Sequence, residues 1–441
     1  MPAGAEGYDT HAAVARTVRG VTLGGAGVVL SVWSVGWEFG RRECVVTVWD
    51  EVVGQPEAVA TLRAAVDAAA AIVGHQNVPP GGMTHAWLFT GPPGSGRSVA
   101  ARAFASALQC AEGGCGVCAA CHTVKAGTHG DLHLVNPEGL SIPVGQMRRI
   151  VQTAARAPGL GRWQVVLIED ADRLTEAASN ALLKAVEEPP DRTVFLLCAP
   201  STHPDDVSVT IRSRCRVVPL RTPAPEAVAE VLHHRDGIDV ETARWAAAAS
   251  QGHVGRARRL ARDEKARDRR DAVLSVPASL RSLKAALSAA DALVRAAEEE
   301  AAAYSAERDQ PERDALATAL GAGGEGKGTS ASARGSAAAL KELERQQKSR
   351  ATRAQRDALD RALVDLAGFY RDVLIRQAGA DVPAAHPDRA RDVAKVATMT
   401  PEDALARLDA VLACREALEL NVKPRIAVEA MTAALALPAA R

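Results

Sequence analysis

The sequence predicts an α/β domain built on a parallel sheet, followed by helical domains. Three observations carry this. Short apolar runs alternate with helical stretches from Trp49 to about Leu220. A glycine-rich loop follows the first of those runs and opens a helix. From Thr222 onward, Ala, Arg and Leu recur at helical spacing.

Residues 1–45 come first and read as an unstructured extension. Val21 to Phe39 is fairly apolar, but it is rich in glycine, contains Glu38 and shows no small-residue cleavage pattern. It is therefore read as neither a membrane span nor a leader. The choice of start site can account for it, because a coherent domain begins at Val46-Thr47-Val48-Trp49-Asp50 and a valine codon can serve as a start.

The α/β domain is expected over residues 46–221. Ala86–Thr90, Val165–Ile168 and Thr193–Leu197 read as buried strands. Apolar runs of this length, bounded by turn residues and separated by helices, indicate parallel pairing. A small helical domain is expected over 222–272 and a larger one over 273–441. The larger one is interrupted by the glycine tract Gly321 to Gly328 and the Ser/Ala/Gly stretch that follows it. Such a composition predicts a disordered insertion over about 300 to 338. Lys341 to Ala378 reads as a long helix, whose basic run is taken as a solvated face in preference to a DNA contact.

Composition narrows the function classes. A length of 441 residues suggests about three domains. Lys+Arg and Asp+Glu are both 53, so the chain lacks the basic surplus of a protein that coats DNA unaided. Aromatic residues make up only 3%, so the cores must be built from Leu, Val and Ala. Of eight cysteines, four crowd between Cys110 and Cys121, while Cys44, Cys198, Cys215 and Cys414 are scattered. That is no disulfide framework; it suits a cytoplasmic protein with one metal site.

The loop Gly91-Pro92-Pro93-Gly94-Ser95-Gly96-Arg97-Ser98 has the spacing of a phosphate-binding loop. Gly91, Gly94 and Gly96 let backbone N–H groups converge on phosphate oxygens, and the helix N-terminus adds its positive end. Ser98 stands where a hydroxyl would hold Mg²⁺, but position 97 has Arg where the motif has Lys. The planar guanidinium keeps the charge and needs more room. The second strand ends in Glu169-Asp170, the reverse of the usual acidic order. Each carboxylate would then be misplaced by about 1 Å, which can cost on the order of a hundredfold in rate. Three readings of ATP/Mg²⁺ at this loop stay open: turnover, binding without useful turnover, and an empty loop.

Cys110, Cys115, Cys118 and Cys121 follow the pattern C-x4-C-x2-C-x2-C. Four thiolates at such spacing can close a tetrahedral shell around Zn²⁺, leaving no open position, so the site reads as structural. His122 is an alternative ligand, an iron–sulfur cluster uses the same ligand type, and unligated thiols are the bland alternative. Further on, Arg212-Ser213-Arg214-Cys215 follows the last predicted strand. Arg214 is a candidate arginine finger, acting on a nucleotide held by a neighbouring subunit.

In this order the motifs resemble one family, the bacterial clamp-loader delta-prime subunits, relatives of the gamma/tau ATPases. The matching residues are Val53-Gly54-Gln55, the loop 91–98, the four cysteines, Ala126-Gly127-Thr128-His129, residues 165–170, Ala181 to Pro190 and Ser213-Arg214-Cys215. The likeness is strong over about 47–220, weakens beyond, and returns at Arg415 to Leu418 and Asn421 to Arg425. The insertion has no counterpart in the family.

The resemblance implies an AAA+ α/β domain, a helical lid and an all-α collar within a five-subunit ring. It further implies partnership with gamma/tau and delta through the collar and AAA+ domains, action on the sliding clamp and primed DNA, and no membrane. The delta-prime member generally acts as a rigid stator that donates a finger in trans. Arg256 in the lid stands near the place of a second sensor arginine, with no assigned role. Two other functions compete, beside a third, an unrelated nucleotide-driven remodeller of the same fold, against which the cysteine cluster and the collar-like end argue. One is an active gamma/tau-type ATPase, which needs Arg97 and Glu169 to work. The other is a nucleic-acid-binding zinc protein, against which the knuckle offers Glu112 but no Lys, Arg or aromatic residue.

Overall fold

The computed structural model describes residues 47–78, 81–137, 139–319 and 329–437. The expected N-terminal extension lies outside the described residues. The described chain opens on a 3-10 turn, Val48–Glu51, and α1 (Pro56–Val73). There follow β1 (Ala86–Thr90), α2 (Arg97–Gln109), α3 (Ala119–Lys125), β2 (Leu132–Val135), α4 (Val144–Ala154) and β3 (Gln164–Ile168). Then come α5 (Glu176–Glu187), β4 (Thr193–Ala199), α6 (Val209–Arg212) and β5 (Arg216–Pro219). The five strands form a parallel sheet in the order β2-β3-β4-β1-β5.

Every residue of β1, β3 and β4 is buried, as parallel strands covered on both faces require. Successive side chains alternate between those faces. Trp87, Phe89, Val165, Leu167, Val194 and Leu196 pack with α1 and α2. Leu88, Val166, Ile168, Phe195 and Leu197 pack with Met147 of α4 and Leu182 of α5. Three of the five strands match the apolar runs in the sequence. β2 and β5 do not, because His133 interrupts one run of four and β5 is an edge strand with three exposed positions.

Beyond the sheet everything described is helical. α7 (Pro225–His234), α8 (Val240–Ala249) and α9 (Val254–Arg262) share a core rich in alanine, including Ala243, Ala246, Ala247 and Ala257. α10 (Glu264–Ser279), α11 (Leu283–Ala319), α12 (Thr329–Ala378), α13 (Ala390–Val396), α14 (Pro401–Glu419) and α15 (Pro424–Ala436) share another, centred on Leu366, Phe369, Val373, Val411 and Val428. No helix among the described residues is long and apolar enough to cross a membrane.

The expected disordered insertion needs correcting. Residues 300–319 are the end of α11, and 329–338 are the start of α12; residues 320–328 lie outside the described ones. The composition was diluted by its glycine tract, whereas the flanks are rich in alanine, glutamate and arginine, which favour helix. Side-chain pairs then zip the two helices together. Arg350 binds Asp309 at 2.9 Å and Glu312 at 2.5 Å, and Arg313 donates to Gln347 at 2.9 Å. With 50 residues, α12 spans about 75 Å, long enough to reach from its own core to the sheet domain.

Candidate functional site

The glycine-rich loop lies between the end of β1 and the start of α2, where open parallel sheets place ligands. Gly94 has φ 90°, and a Cβ there would press on the His253 side chain at 2.9 Å. His253 is the N-cap of α9, so the helical region after the sheet closes over the loop. Gly96 caps α2 in the left-handed conformation, φ 88°, which frees the helix N-terminus to face a ligand. Ser98, in the first turn of α2, is half-buried. Ser95 Oγ is buried with no hydrogen-bond partner among the described residues. The cradle therefore suits a phosphate group.

The charged side chains of the site are turned to partners within the chain. Arg97 Nη1 donates to the Gly91 carbonyl at 2.8 Å, folding back on its own loop. Glu169, one residue beyond β3, pairs with Arg102 of α2 at 2.6 Å. Asp170 pairs with Arg353 of α12 at 2.5 Å. Burial raises the Asp172 carboxyl above the usual range, and the charge of Asp170 adds to the effect. Both carboxylates at the acidic end of the site are thus already paired, each with a guanidinium group. In this arrangement the phosphate half fits nucleotide and the metal half does not. A cleft of about 410 Å³ over the loop is lined by Pro93, Arg97, Asp170 and Asp172 together with Arg356 and Arg415 from α12 and α14.

Arg256 does not reach this loop. Its guanidinium binds Asp365 of α12. Arg353, Arg102 and His253 were absent from the motif reading. Arg353 is far along the chain from Asp170, and nothing around it resembles a nucleotide motif.

The four cysteines converge. Cys110 caps the end of α2, Cys118 caps the start of α3, and the glycines between them turn the chain back. All four sulfurs lie within 4.8 Å of one another. Cys110 Sγ is 3.7 Å from both Cys115 Sγ and Cys118 Sγ. A tetrahedron with metal–sulfur bonds of about 2.3 Å has edges of about 3.8 Å, so the spacing fits a four-sulfur shell. The N–H groups of Cys115 and Cys121 point at Cys110 Sγ and Cys118 Sγ, at 3.4 and 3.5 Å. Burial alone would raise the Cys110 thiol, but backbone N–H groups of Cys115, Gly114 and Glu112 outweigh it and bring it down to about 7. The thiolate that these donors favour is the form that binds metal. The cluster can hold a metal ion; its chemistry there would be structural, tying α2 to α3. The knuckle is clamped to the start of the domain, where Trp49 Nε1 donates to the Gly113 carbonyl at 3.0 Å and Val48 N to the Gly114 carbonyl at 3.1 Å.

Arg214 sits between α6 and β5, exposed at the domain edge. It binds Glu187 at the end of α5 at 2.7 Å and the Thr210 carbonyl at 2.9 Å. Because β5 runs parallel to β1, with Thr90 opposite Pro219, Arg214 lies at the opposite end of the sheet from Gly91. It is out of reach of its own loop.

Sequence comparisons agree with these motifs. Residues 72–224 match the family described as DNA polymerase III, delta subunit. The chain is 35% identical over 201 residues to DNA polymerase III subunit gamma/tau of Mycobacterium tuberculosis, covering 44% of this chain and 32% of that protein. It is 40% identical over 153 residues to subunit delta' of Pseudomonas aeruginosa, covering 33% and 45%. With delta' of Bacillus subtilis it shares 35% over 157 residues, covering 35% and 47%. The chain thus spans a third to a half of the length of these relatives. Among solved structures, a DNA polymerase III gamma subunit-related protein of Thermotoga maritima overlaps 84% of this chain at 15% identity, with a TM-score of 0.37. That overlap adds nothing to what the strand order itself establishes. Over residues 72–224 the chain is thus similar to the gamma/tau and delta' subunits of DNA polymerase III.

Proposed function

We propose that the chain is the delta-prime subunit of the clamp loader, supporting ATP-dependent loading of the sliding clamp onto primed DNA. The observation that carries the reading is the contrast between an intact phosphate cradle and an acidic end held by Arg102 and Arg353. A subunit that does not turn over nucleotide can still serve the ring as a stator. Its partners would be gamma/tau and delta, met through the α/β domain and the C-terminal helices, and its place the cytoplasm, at replication forks. Arg214, exposed and remote from Gly91, suits a finger directed at a neighbour's nucleotide. The metal is zinc, as four thiolates without an open position favour.

Reconstitution tests this. The chain is combined with gamma/tau, delta and the clamp, and clamp loading on primed DNA is measured with and without it. A stable complex whose loading depends on this chain is expected; a complex that forms and loads equally well without it would refute the assignment. A gamma/tau-type motor remains the second reading, favoured by the longer match to gamma/tau, 201 residues against 153 and 157. ATP turnover by the isolated chain separates the two. Slow or absent hydrolysis is expected here, and turnover of about 1 s⁻¹ or more, within the ordinary range of enzymes, would favour the motor.

A further inference from the structure

Far from the glycine-rich loop, a pocket of about 170 Å³ lies among α9, α10, α11 and α12. Eight alanines line it, with Leu260, Leu293, Val273 and Val276 beside them. Side chains this short leave room where helices meet, and a leucine in place of one of them would fill it. Native interiors hold few voids larger than a water molecule. An apolar cavity of about 150 Å³ admits a six-carbon ring, and this pocket has that size.

Five arginines and two carboxylates, Glu300 and Asp365, complete the lining. Arg259 of α9, Arg269 of α10 and Arg361 of α12 converge on Glu300 of α11 at 2.6, 3.4 and 2.5 Å. These three arginines are partly exposed and mark the open side of the pocket. Asp263 reaches Arg259 and Arg269 from outside the lining, and Arg256 is held by Asp365. Three guanidinium groups thus share one lining carboxylate, and the rim is positive. Burial lowers the Arg361 pKa in spite of Glu300, and the charge of Arg259 adds to the fall. A further anion at the rim would relieve that repulsion.

Arg270 lines the same pocket, and its side chain is only 2% exposed. Its Nη1 and Nη2 donate to Asp388 at 2.7 and 3.0 Å, and Nη2 also faces His386 Nδ1 at 3.0 Å. Its Nε–H is buried and meets no acceptor among the described residues. A buried donor left unmatched is costly, and more so on a charged group. An unmatched guanidinium N–H, an apolar wall and a positive rim complement a molecule with an anionic head and a small apolar body.

We propose that this pocket binds a small carboxylate whose apolar body has about six or seven carbons. The head accepts from Arg270 Nε–H and faces the arginine rim, while the body packs among the alanines. A neutral molecule of the same shape leaves the rim uncompensated, and an inorganic anion leaves the apolar wall uncovered. Bound ligand would tighten α9 and α10 against α11 and α12. Neither the glycine-rich loop nor the cysteine knuckle lends a residue to the pocket, so its failure and failure of the clamp-loader reading are separate results.

The experiment titrates the full-length chain with benzoate in a calorimeter, with benzamide as the neutral isostere and inorganic phosphate as the anion without an apolar body. Benzoate should occupy one site with a Kd of about 1 mM or below. Benzamide and phosphate should each bind roughly tenfold more weakly or not at all. Ala297→Leu on α11 and Ala362→Leu on α12 each push a branched side chain into the pocket from a different wall, and each should abolish benzoate binding in a chain of unchanged helicity. Two fillers keep the test decisive where one of them folds poorly. Arg270→Lys keeps the charge but lacks the Nε–H, and should narrow the gap between benzoate and benzamide. Hydrogen exchange of residues 266–276 and 289–300 should slow on saturation with benzoate. No benzoate binding by wild type would overturn the site. So would benzamide or phosphate binding as tightly as benzoate, benzoate binding untouched by a folded leucine variant, a gap undiminished in Arg270→Lys, or exchange unmoved by benzoate.

Discussion

The cysteine knuckle and the proposed nucleotide site lie in one domain, and they are built in opposite ways. All four thiols come from residues 110–121, positioned by the end of α2, two glycine turns and the start of α3. The nucleotide site draws its cradle from 91–98, its acidic end from 169–170, its cover from His253 and its counter-charge from Arg353. The knuckle is complete when a dozen residues fold. The nucleotide site is complete only when helices from the far end of the chain dock. A site of the first kind answers to its own residues; one of the second kind can be changed by a helix that contains none of its motifs.

The largest test of that contrast strikes the knuckle. Cys118→Ser should release a metal that elemental analysis finds at one zinc per wild-type chain. Loss of a structural zinc removes folding free energy directly, so the sheet domain should lose at least about 3 kcal/mol in denaturant unfolding. Wild-type protein free of zinc, with a variant equally stable, would remove the metal and leave a cluster of thiols.

Next in size is the hairpin. Deleting residues 300–338 discards Glu300, which holds Arg259, Arg269 and Arg361, and Asp309 and Glu312, which hold Arg350. Composition alone treats this stretch as a dispensable insertion; the ion pairs say otherwise. Breaking a partly buried network leaves arginines without partners and should cost about 2–4 kcal/mol. A deletion as stable as wild type would show that the hairpin is decorative after all.

Arg214→Ala should leave folding and metal content unchanged, since its bonds to Glu187 and Thr210 lie at an exposed edge. In a reconstituted loader, hydrolysis at the neighbouring site should fall by about 10³-fold, and total ATPase by less because other sites continue. Arg212→Ala is the nearby control. Undiminished loading by Arg214→Ala, in a complex of normal composition, would leave this residue a structural role.

The smallest expected effect concerns pH and the support of the knuckle. The Asp131 carboxylate accepts from the N–H groups of Gly159 and Leu160, both at 2.8 Å, and of Gly161. Burial works to raise its pKa, but these donors outweigh it and hold the carboxyl below the ordinary value. The loop it fixes carries Arg162, which donates to the Cys110 carbonyl at 2.9 Å. Since the folded pKa is depressed, the stabilisation is present above the unfolded pKa of about 4 and fades as pH falls through the folded value. Asp131→Asn should therefore cost about 1–2 kcal/mol at pH 7 and progressively less below pH 4. An equal loss at pH 7 and pH 3 would mean that the side chain's shape, not its charge, holds the loop.

Legibility in the sequence follows the same division. The buried strands at 86–90, 165–168 and 193–197 announced themselves, because a parallel strand covered on both faces must be a continuous apolar run. The edge strand Arg216–Pro219 could not, since three of its four residues face outward. The four cysteines were legible as a set because ligand chemistry and tight turns are local properties. The helices flanking the glycine tract were hidden by averaging composition across it, and the pairs that zip them together are long-range.

By itself, then, the sequence determined the chemistry of short segments: the glycine cradle, the reversed Glu169-Asp170 order, the Arg at 97, the thiol spacing and the strands of the sheet's middle. Tertiary structure alone decided where the charges went. Arg353 meets Asp170, Arg102 meets Glu169, Arg256 turns to Asp365, and Arg214 stands at the far end of the sheet from Gly91. The physical reason is reach. Backbone geometry and metal ligation act over a few residues, whereas an ion pair forms between whichever side chains the packing of whole helices brings within a few ångströms, and no local pattern records that distance.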